Sequence, residues 1–260
     1  MLFQALKYIN HFFSSKHGGH GVHSPFVYSF IKNVLEADGD FYDFKKIENT
    51  RNNLLQNNNT ITINDLGAGS RKNKSNTRKI NEIAKTSLKP ANQARLLFRT
   101  ANYFSPENII ELGTSLGIST LYLSSAVKNA NIYTIEGDKK ISNLAQKVFN
   151  TFKAKNIKLI NGNFDKELPK LLKQGISPDF VYIDGNHTYD ATIKYFNMLL
   201  PYVNSKSVII FDDIYWSKSM YNAWKQITGN EKVNISIDLF WFGIIFFEKN
   251  TPKQHFKLFF

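Results

Sequence analysis

From Asn108 onward the chain alternates short apolar runs with stretches of helical periodicity. The runs are Asn108–Leu112, Asn131–Glu136, Ile157–Asn161, Phe180–Asp184 and Ser207–Phe211, and helical patterns lie between them at Ser119–Lys128, Lys140–Phe152, Lys166–Gln174 and Tyr189–Leu200. Such β-α-β-α repetition demands a parallel sheet with helices on both faces, because a parallel connection needs a crossover. After Trp216–Ile227 two more strand-like runs follow, Val233–Asp238 and Phe242–Glu248. Their short connection predicts a terminal antiparallel hairpin. No internal repeat is visible.

The first hundred residues are less regular. Ser24-Pro25 reads as an N-cap with proline at the first helical position, opening a helix through about Leu35. The Asn-rich stretch 49–60 reads as a loop or a frayed helix end, and Ile61 to Asp65 as a short extended piece. Residues 76–100 have helical spacing, with Ile80, Ile83, Ala84, Leu88, Leu96 and Leu97 on one side, and Pro90 divides them into two helices. The expected organisation is an N-terminal helical extension over 1–100 and an α/β domain over 101–260.

Composition narrows the class. A 260-residue chain that is 42% apolar and 21% charged is an ordinary globular protein, which excludes wholesale disorder and fibrous repeats. With 0 Cys there are no disulfides, no thiolate zinc site and no thiol nucleophile. No uncharged apolar run is long enough to span a bilayer. The opening MLFQALKYINHFF carries Lys7 and Asn10 within its apolar stretch and has no small-residue cleavage site, so it reads as no signal peptide. A cytoplasmic protein without a membrane partner is expected. The net charge is +12. Residues 71–99 hold nine cations against Glu82 alone, a block that can bind phosphate-bearing partners or form a solvated helix face.

The candidate chemistry starts at the first strand-to-helix junction, Ile109-Ile110-Glu111-Leu112-Gly113-Thr114-Ser115-Leu116-Gly117-Ile118-Ser119-Thr120. Gly113 and Gly117 let the backbone turn tightly and approach a ligand at the carboxyl end of a strand, where open α/β sheets bind theirs. The next strand ends in Glu136, whose carboxylate can accept hydrogen bonds from both ribose hydroxyls of a nucleoside cofactor. The close glycine pair of the dinucleotide G-x-G-x-x-G turn is absent.

Two later strands also end in acids, Asp184 in Tyr182-Ile183-Asp184-Gly185-Asn186-His187 and Asp212-Asp213 after Phe211. Three carboxylates over one site repel one another, and a hard divalent ion such as Mg²⁺ would relieve this with all-oxygen ligands. Asp212 and Asp213 can equally cap the next helix. His187, with an ordinary pKa near 6.5, can take a proton from an acceptor or simply bond a strand-end carboxylate.

Together these motifs resemble the class I S-adenosylmethionine-dependent methyltransferases, in particular the small O-methyltransferases of catechol and macrocin O-methyltransferase type, over residues 105–248. The resemblance implies a Rossmann-like α/β fold with a seven-stranded, mostly parallel sheet, its last strand antiparallel, behind an N-terminal helical extension that closes over the cofactor. It implies S-adenosylmethionine as cofactor and a small-molecule hydroxyl as methyl acceptor. Glu111 and Gly113 would lie near the methionine moiety, Ser119 would hold its carboxylate, Glu136 the ribose, and Asn163 and Phe164 would frame the adenine. Ser115, Gly117, Gly137 and Asp184 complete the expected cofactor set. Asp184, Asp212 and Asp213 match the metal positions of those enzymes, and Asp184 and His187 are the expected catalytic pair. His187 stands where the catechol type carries a lysine. The base proposed for the sugar type falls at Asn186, which cannot act as one. The stretches from His20 to Phe26 and from Asp212 to Ser217 look like a subgroup common in Bacteroidetes-type bacteria.

Other features carry less. Asp65-Leu66-Gly67-Ala68-Gly69-Ser70 mimics a cofactor turn but has no β-α-β continuation. His17, His20 and His23 have spacing that admits zinc, yet their glycines and the Ser-Pro helix start favour a loop. Tyr215 and Trp216 are placed to line an acceptor pocket or to cover the core. A nucleic-acid methyltransferase is the alternative suggested by charge, but no Asn-Pro-Pro-Tyr signature accompanies it; a non-catalytic cofactor-binding member is the other. A homodimer is left open.

Overall fold

The computed structural model describes residues 2–63, 77–248 and 251–260. The chain forms two compact units, one of residues 37–170 and one of residues 1–36 with 171–260. The first stretch supplies α1 (Leu2–Ser14) and α2 (Pro25–Phe30). Ser24 caps α2, its Oγ accepting the Val27 N–H at 3.4 Å, and Pro25 opens the helix as expected. The helix then widens into a π-helical turn over Ile31–Leu35.

The unit of residues 37–170 begins with α3 (Tyr42–Gln56), β1 (Thr60–Thr62), β2 (Thr77–Lys79), α4 (Ile80–Ser87) and α5 (Ala91–Phe104). Two expectations are corrected here. Residues 49–56 form the C-terminal end of α3, as regular helix rather than a loop or a frayed end, because Ile47 and Leu54 are buried on one side. Arg51 donates to both oxygens of Glu48 at 3.0 Å and to the Lys89 carbonyl. Tertiary partners thus outweigh the weak helix preference of asparagine. Residues 77–79, read as helical, instead pair antiparallel with β1, Thr62 opposite Thr77 and Thr60 opposite Lys79. Pro90 separates α4 from α5, as expected. The loop-like motif at Asp65–Ser70 and the cations Arg71, Lys72 and Lys74 lie outside the described residues.

Then come β3 (Asn108–Leu112), α6 (Ile118–Ala126), β4 (Asn131–Glu136), α7 (Lys139–Phe152), β5 (Ile157–Asn161) and the start of α8 (Phe164–Lys173). The strands pair in parallel in the order β3-β4-β5, with Glu111 beside Thr134 and Glu136 beside Asn161. One apolar cluster joins α3, α4 and α5 to α6 and α7 through Phe44, Ile47, Ile83, Phe98, Tyr122 and Phe149. Within this unit the extension is therefore core, contributing buried side chains rather than an overlay.

The other unit adds β6 (Phe180–Ile183), α9 (Tyr189–Leu199), β7 (Val208–Asp212), α10 (Lys218–Gly229), β8 (Ile235–Asp238), β9 (Phe242–Phe246) and β10 (Gln254–Lys257). Strand β7 is parallel to β6, and β9 runs antiparallel to both β7 and β8. The expected hairpin is thus β8–β9, and β9 is the expected antiparallel strand. The count of seven is corrected to eight, excluding the β1–β2 pair, because β10 follows and pairs in parallel with β8. A polar four-residue edge strand needs only backbone partners, such as Gln254 N–H to Asn234 O at 2.7 Å, so no apolar alternation announces it.

Candidate cofactor and metal sites

In the unit of residues 37–170 the glycine turn leaves β3 with Gly113 at φ 106° and enters α6 through Gly117 at φ 83°. Both lie in the left-handed region that side chains resist. A Cβ on Gly117 would stand 2.5 Å from the Phe149 ring, so only glycine lets α6 and α7 pack there. Between them Ser115 is also left-handed, at φ 47°. Its N–H donates to Glu136 Oε2 at 2.9 Å, and the Asp138 N–H donates to Glu136 Oε1 at 2.9 Å. The acid at the end of β4 is thus clamped to the glycine turn by backbone amides. Burial pushes the Glu136 carboxyl above the usual glutamate range, helped by nearby Asp138, and the amides of Asp138, Ser115 and Gly137 only partly offset it.

Glu111 is fully buried in β3 and gathers hydroxyls. Ser119 and Thr120, in the first turn of α6, donate to its two oxygens at 2.6 and 2.5 Å. Thr134 on β4 adds a bond of 2.7 Å and lies 2.5 Å from Thr114. Charge-assisted bonds of this kind make a buried carboxylate tolerable and pin α6 to the strand. Ser119, expected to hold a methionine carboxylate, spends its proton on Glu111. Sequence reading passed over Thr134; its signal was a hydroxyl inside an otherwise apolar strand.

Asn161 Nδ2 donates to the Glu136 and Gly137 carbonyls at 2.8 and 3.3 Å, ordering the end of β5 beside the acid. Asn163 Oδ1 accepts the Asp165 N–H at 2.8 Å, so its side chain starts α8, with half-buried Phe164 next to it. Ser87, the last residue of α4, was also missed: Ser115 Oγ donates to its Oγ at 2.8 Å.

The other unit holds the second group. Asp184, just past β6, accepts the Tyr182 hydroxyl on Oδ2 at 3.0 Å, and its Oδ1 lies 3.4 Å from His187 Nε2. Asp184, His187 and the buried Asp212 each offer a ligand atom, all within 4.8 Å of one another. Asp213 is outside that group of three. It takes left-handed φ of 52°, donates its N–H to Trp241 O and accepts the Trp216 N–H, both at 2.8 Å. Neighbouring Tyr215 is buried, and its hydroxyl donates to Asp238 at 2.6 Å, while Trp216 is exposed. Asn186 donates to the Tyr195 hydroxyl at 3.2 Å. His17, His20 and His23 sit in a turn-rich loop, with the His17 ring stacked on Phe259 at 4.7 Å.

Residues 110–214 match a family described as a methyltransferase domain. A catechol O-methyltransferase of Niastella koreensis is 29% identical over 126 residues, 47% of this chain; the chain spans 56% of that protein's length. Among solved structures, the methyltransferase PaMTH1 of Podospora anserina, bound to S-adenosylhomocysteine, aligns with a TM-score of 0.61 at 14% identity, over 84% of this chain and 93% of that one. The O-methyltransferase TomG of Streptomyces achromogenes, in complex with S-adenosylmethionine, aligns with a TM-score of 0.55 at 19% identity, over 62% and 82%. The fold is therefore that of the class I methyltransferases. Residues 110–214 thus match a methyltransferase domain, and part of the chain is similar to a catechol O-methyltransferase.

Proposed function

We propose that this chain transfers the methyl group of S-adenosylmethionine to a hydroxyl of a small molecule. The observation that carries this reading is the Glu136 carboxylate at the end of β4, held against a turn of left-handed Gly113 and Gly117. That arrangement suits a nucleoside with two free ribose hydroxyls: the carboxylate accepts from both, while glycines admit the rest of the ligand close to the backbone. Glu111 keeps the start of α6 in place, Ser115 and Gly137 supply the turn's backbone, and Asn163 and Phe164 flank the end of β5. The cofactor, when bound, supplies an electrophilic methyl group. The protein's part is alignment, which for well-oriented reactants is worth roughly 7–11 kcal/mol.

The group of Asp184, His187 and Asp212 fits a divalent cation by its chemistry: two carboxylates and an imidazole within reach of one point. The imidazole moves the preference from Mg²⁺, which takes oxygen ligands, toward Mn²⁺ or Zn²⁺. Such an ion, when bound, would lower the pKa of an acceptor hydroxyl. Without it, the Asp184–His187 contact favours a second role for His187: a general base whose ring the carboxylate orients.

Calorimetric titration with S-adenosylhomocysteine tests the cofactor. Micromolar binding by wild type that Glu136→Ala abolishes supports the reading; no binding by wild type overturns it. Repeating turnover with Mn²⁺ and with EDTA separates the two roles of His187, since a base needs no ion.

A further inference from the structure

Helix α1 presents apolar side chains to the outside. Its protein-facing side mixes polar and aromatic groups: His11 Nε2 is 3.1 Å from Asp238 Oδ1, Lys7 Nζ stands 4.1 Å above the Tyr221 ring, and the Tyr8 ring lies 4.9 Å from that of Phe240. Leu2, Leu6, Ile9 and Phe13 recur at i, i+4, i+7 and i+11, one stripe of a helix. They are 76%, 59%, 55% and 81% exposed. A surface helix of a self-sufficient domain puts such a stripe inward and its polar residues outward. Here the stripe faces outward, and the helix, about 20 Å long by its residue count, presents an apolar ridge.

The charges around the ridge select its occupant. Residues 2–36 contain Lys7, Lys16 and Lys32 against Glu36 alone, and Glu36 pairs with Lys32 at 2.6 Å. Lys225 on α10 shares the Tyr221 ring with Lys7, at 5.4 Å. A second copy docked on the same ridge would bring the same excess of cations, the bordering Glu36 being already paired with Lys32. An anionic lipid surface meets both needs: acyl chains for the leucines and phenylalanine, headgroup phosphates for the lysines. No helix among the described residues is long and apolar enough to cross a membrane, so α1 would lie in the interface.

We propose that α1 docks this protein on anionic membrane surfaces, with Leu2, Leu6, Ile9 and Phe13 inserted and the exposed Lys16 at headgroup level. The inference stands apart from the methyl-transfer reading, since none of these residues belongs to the candidate sites.

The test is co-sedimentation of the full chain with vesicles of phosphatidylcholine alone or mixed equally with phosphatidylglycerol. The side chains of Leu6 and Phe13 point outward, so a Leu6→Ser/Phe13→Ser variant should keep the wild-type melting temperature. The expected result is binding to the mixed vesicles that weakens with added salt and falls about tenfold or more in the double variant, each lost apolar side chain removing a share of the insertion. Failure of wild type to sediment with anionic vesicles overturns the proposal. So does equal binding by the double variant. If wild type ignores vesicles but forms a dimer that the double variant lacks, the ridge belongs to a second copy and the lipid proposal falls.

Discussion

His11 and Asp238, 227 residues apart in the chain, meet in the interior, with Nε2 3.1 Å from Oδ1 and 3.2 Å from the Asp238 carbonyl. Tyr215 donates to the other carboxylate oxygen at 2.6 Å, and the Phe240 N–H donates to Oδ1 at 2.9 Å. One buried acid thereby ties α1, the segment after β7 and the β8–β9 turn together. Burial pushes the Asp238 carboxyl up, yet the bonds from His11 and Tyr215, the His11 charge and the Phe240 amide outweigh it and hold it below the usual aspartate range.

Removing His11 leaves that carboxylate buried with one partner fewer. His11→Ala is expected to cost about 3–5 kcal/mol, read from urea unfolding. The depressed Asp238 group stabilises the fold at pH above its unfolded value, and that share is lost as pH falls through its lower folded value. The acid-unfolding midpoint of His11→Ala should therefore lie at higher pH than that of wild type. Equal midpoints would show that the contact contributes nothing.

Glu136 shifts the other way, so its charge is lost at a higher pH than for an ordinary glutamate. If its ionised form accepts ribose hydroxyls, affinity for S-adenosylhomocysteine is greatest above that raised value and declines as pH falls through it. Glu136→Gln should weaken binding by about 1.5–3 kcal/mol, roughly tenfold to a hundredfold, and flatten this pH dependence. Calorimetry across the acidic range reads both effects.

Gly117→Ala combines left-handed strain with a Cβ 2.5 Å from Phe149. Overpacking of this kind costs about 1–3 kcal/mol, a loss of roughly 2–4 °C in melting temperature per kcal/mol for a chain of this size. Cofactor affinity should fall with it. An unchanged melting curve would mean that α6 and α7 adjust freely.

The two adjacent acids after β7 should separate by function. Asp212→Asn and His187→Ala are expected to abolish Mn²⁺ binding, followed by the spin resonance of the free ion, while Asp213→Asn keeps it within about twofold, because only Asp212 shares the group with Asp184. Loss on Asp213→Asn would place the ion elsewhere.

The N-terminal hundred residues were expected to close over the cofactor. Phe44, Ile47 and Leu54, however, sit in one core with Tyr122 and Phe149. The Tyr122 hydroxyl donates to Glu48 at 2.8 Å. Deleting residues 1–60 should unfold the unit of residues 37–170 rather than lift a cover, with loss of cooperative melting in calorimetry. A truncated protein that melts cooperatively and binds cofactor would restore the simpler view.

The sequence alone determined what depends on local pattern. Alternating apolar runs and helical spacing placed β3 through β9 and the helices between them, because burial demands those periods. Gly113, Gly117 and Glu136 were legible for the same reason: a tight turn after a strand needs glycines, and an acid at the next strand end has a known use. What the chain could not announce were relations between segments remote in sequence. The pairing of Glu111 with Thr134 follows from strand register, and the choice of His187 over Asp213 as third member of the acidic group follows from backbone that turns left-handed at Asp213. Residues 49–56 are helical because Arg51 and Leu54 find partners in the fold, against the preference of their asparagines. The outward face of α1 is the sharpest case. Nothing in its sequence says which side faces the fold, and the position of Asp238, deep in the interior, decides that the side bearing His11 turns inward and the leucines are left outside.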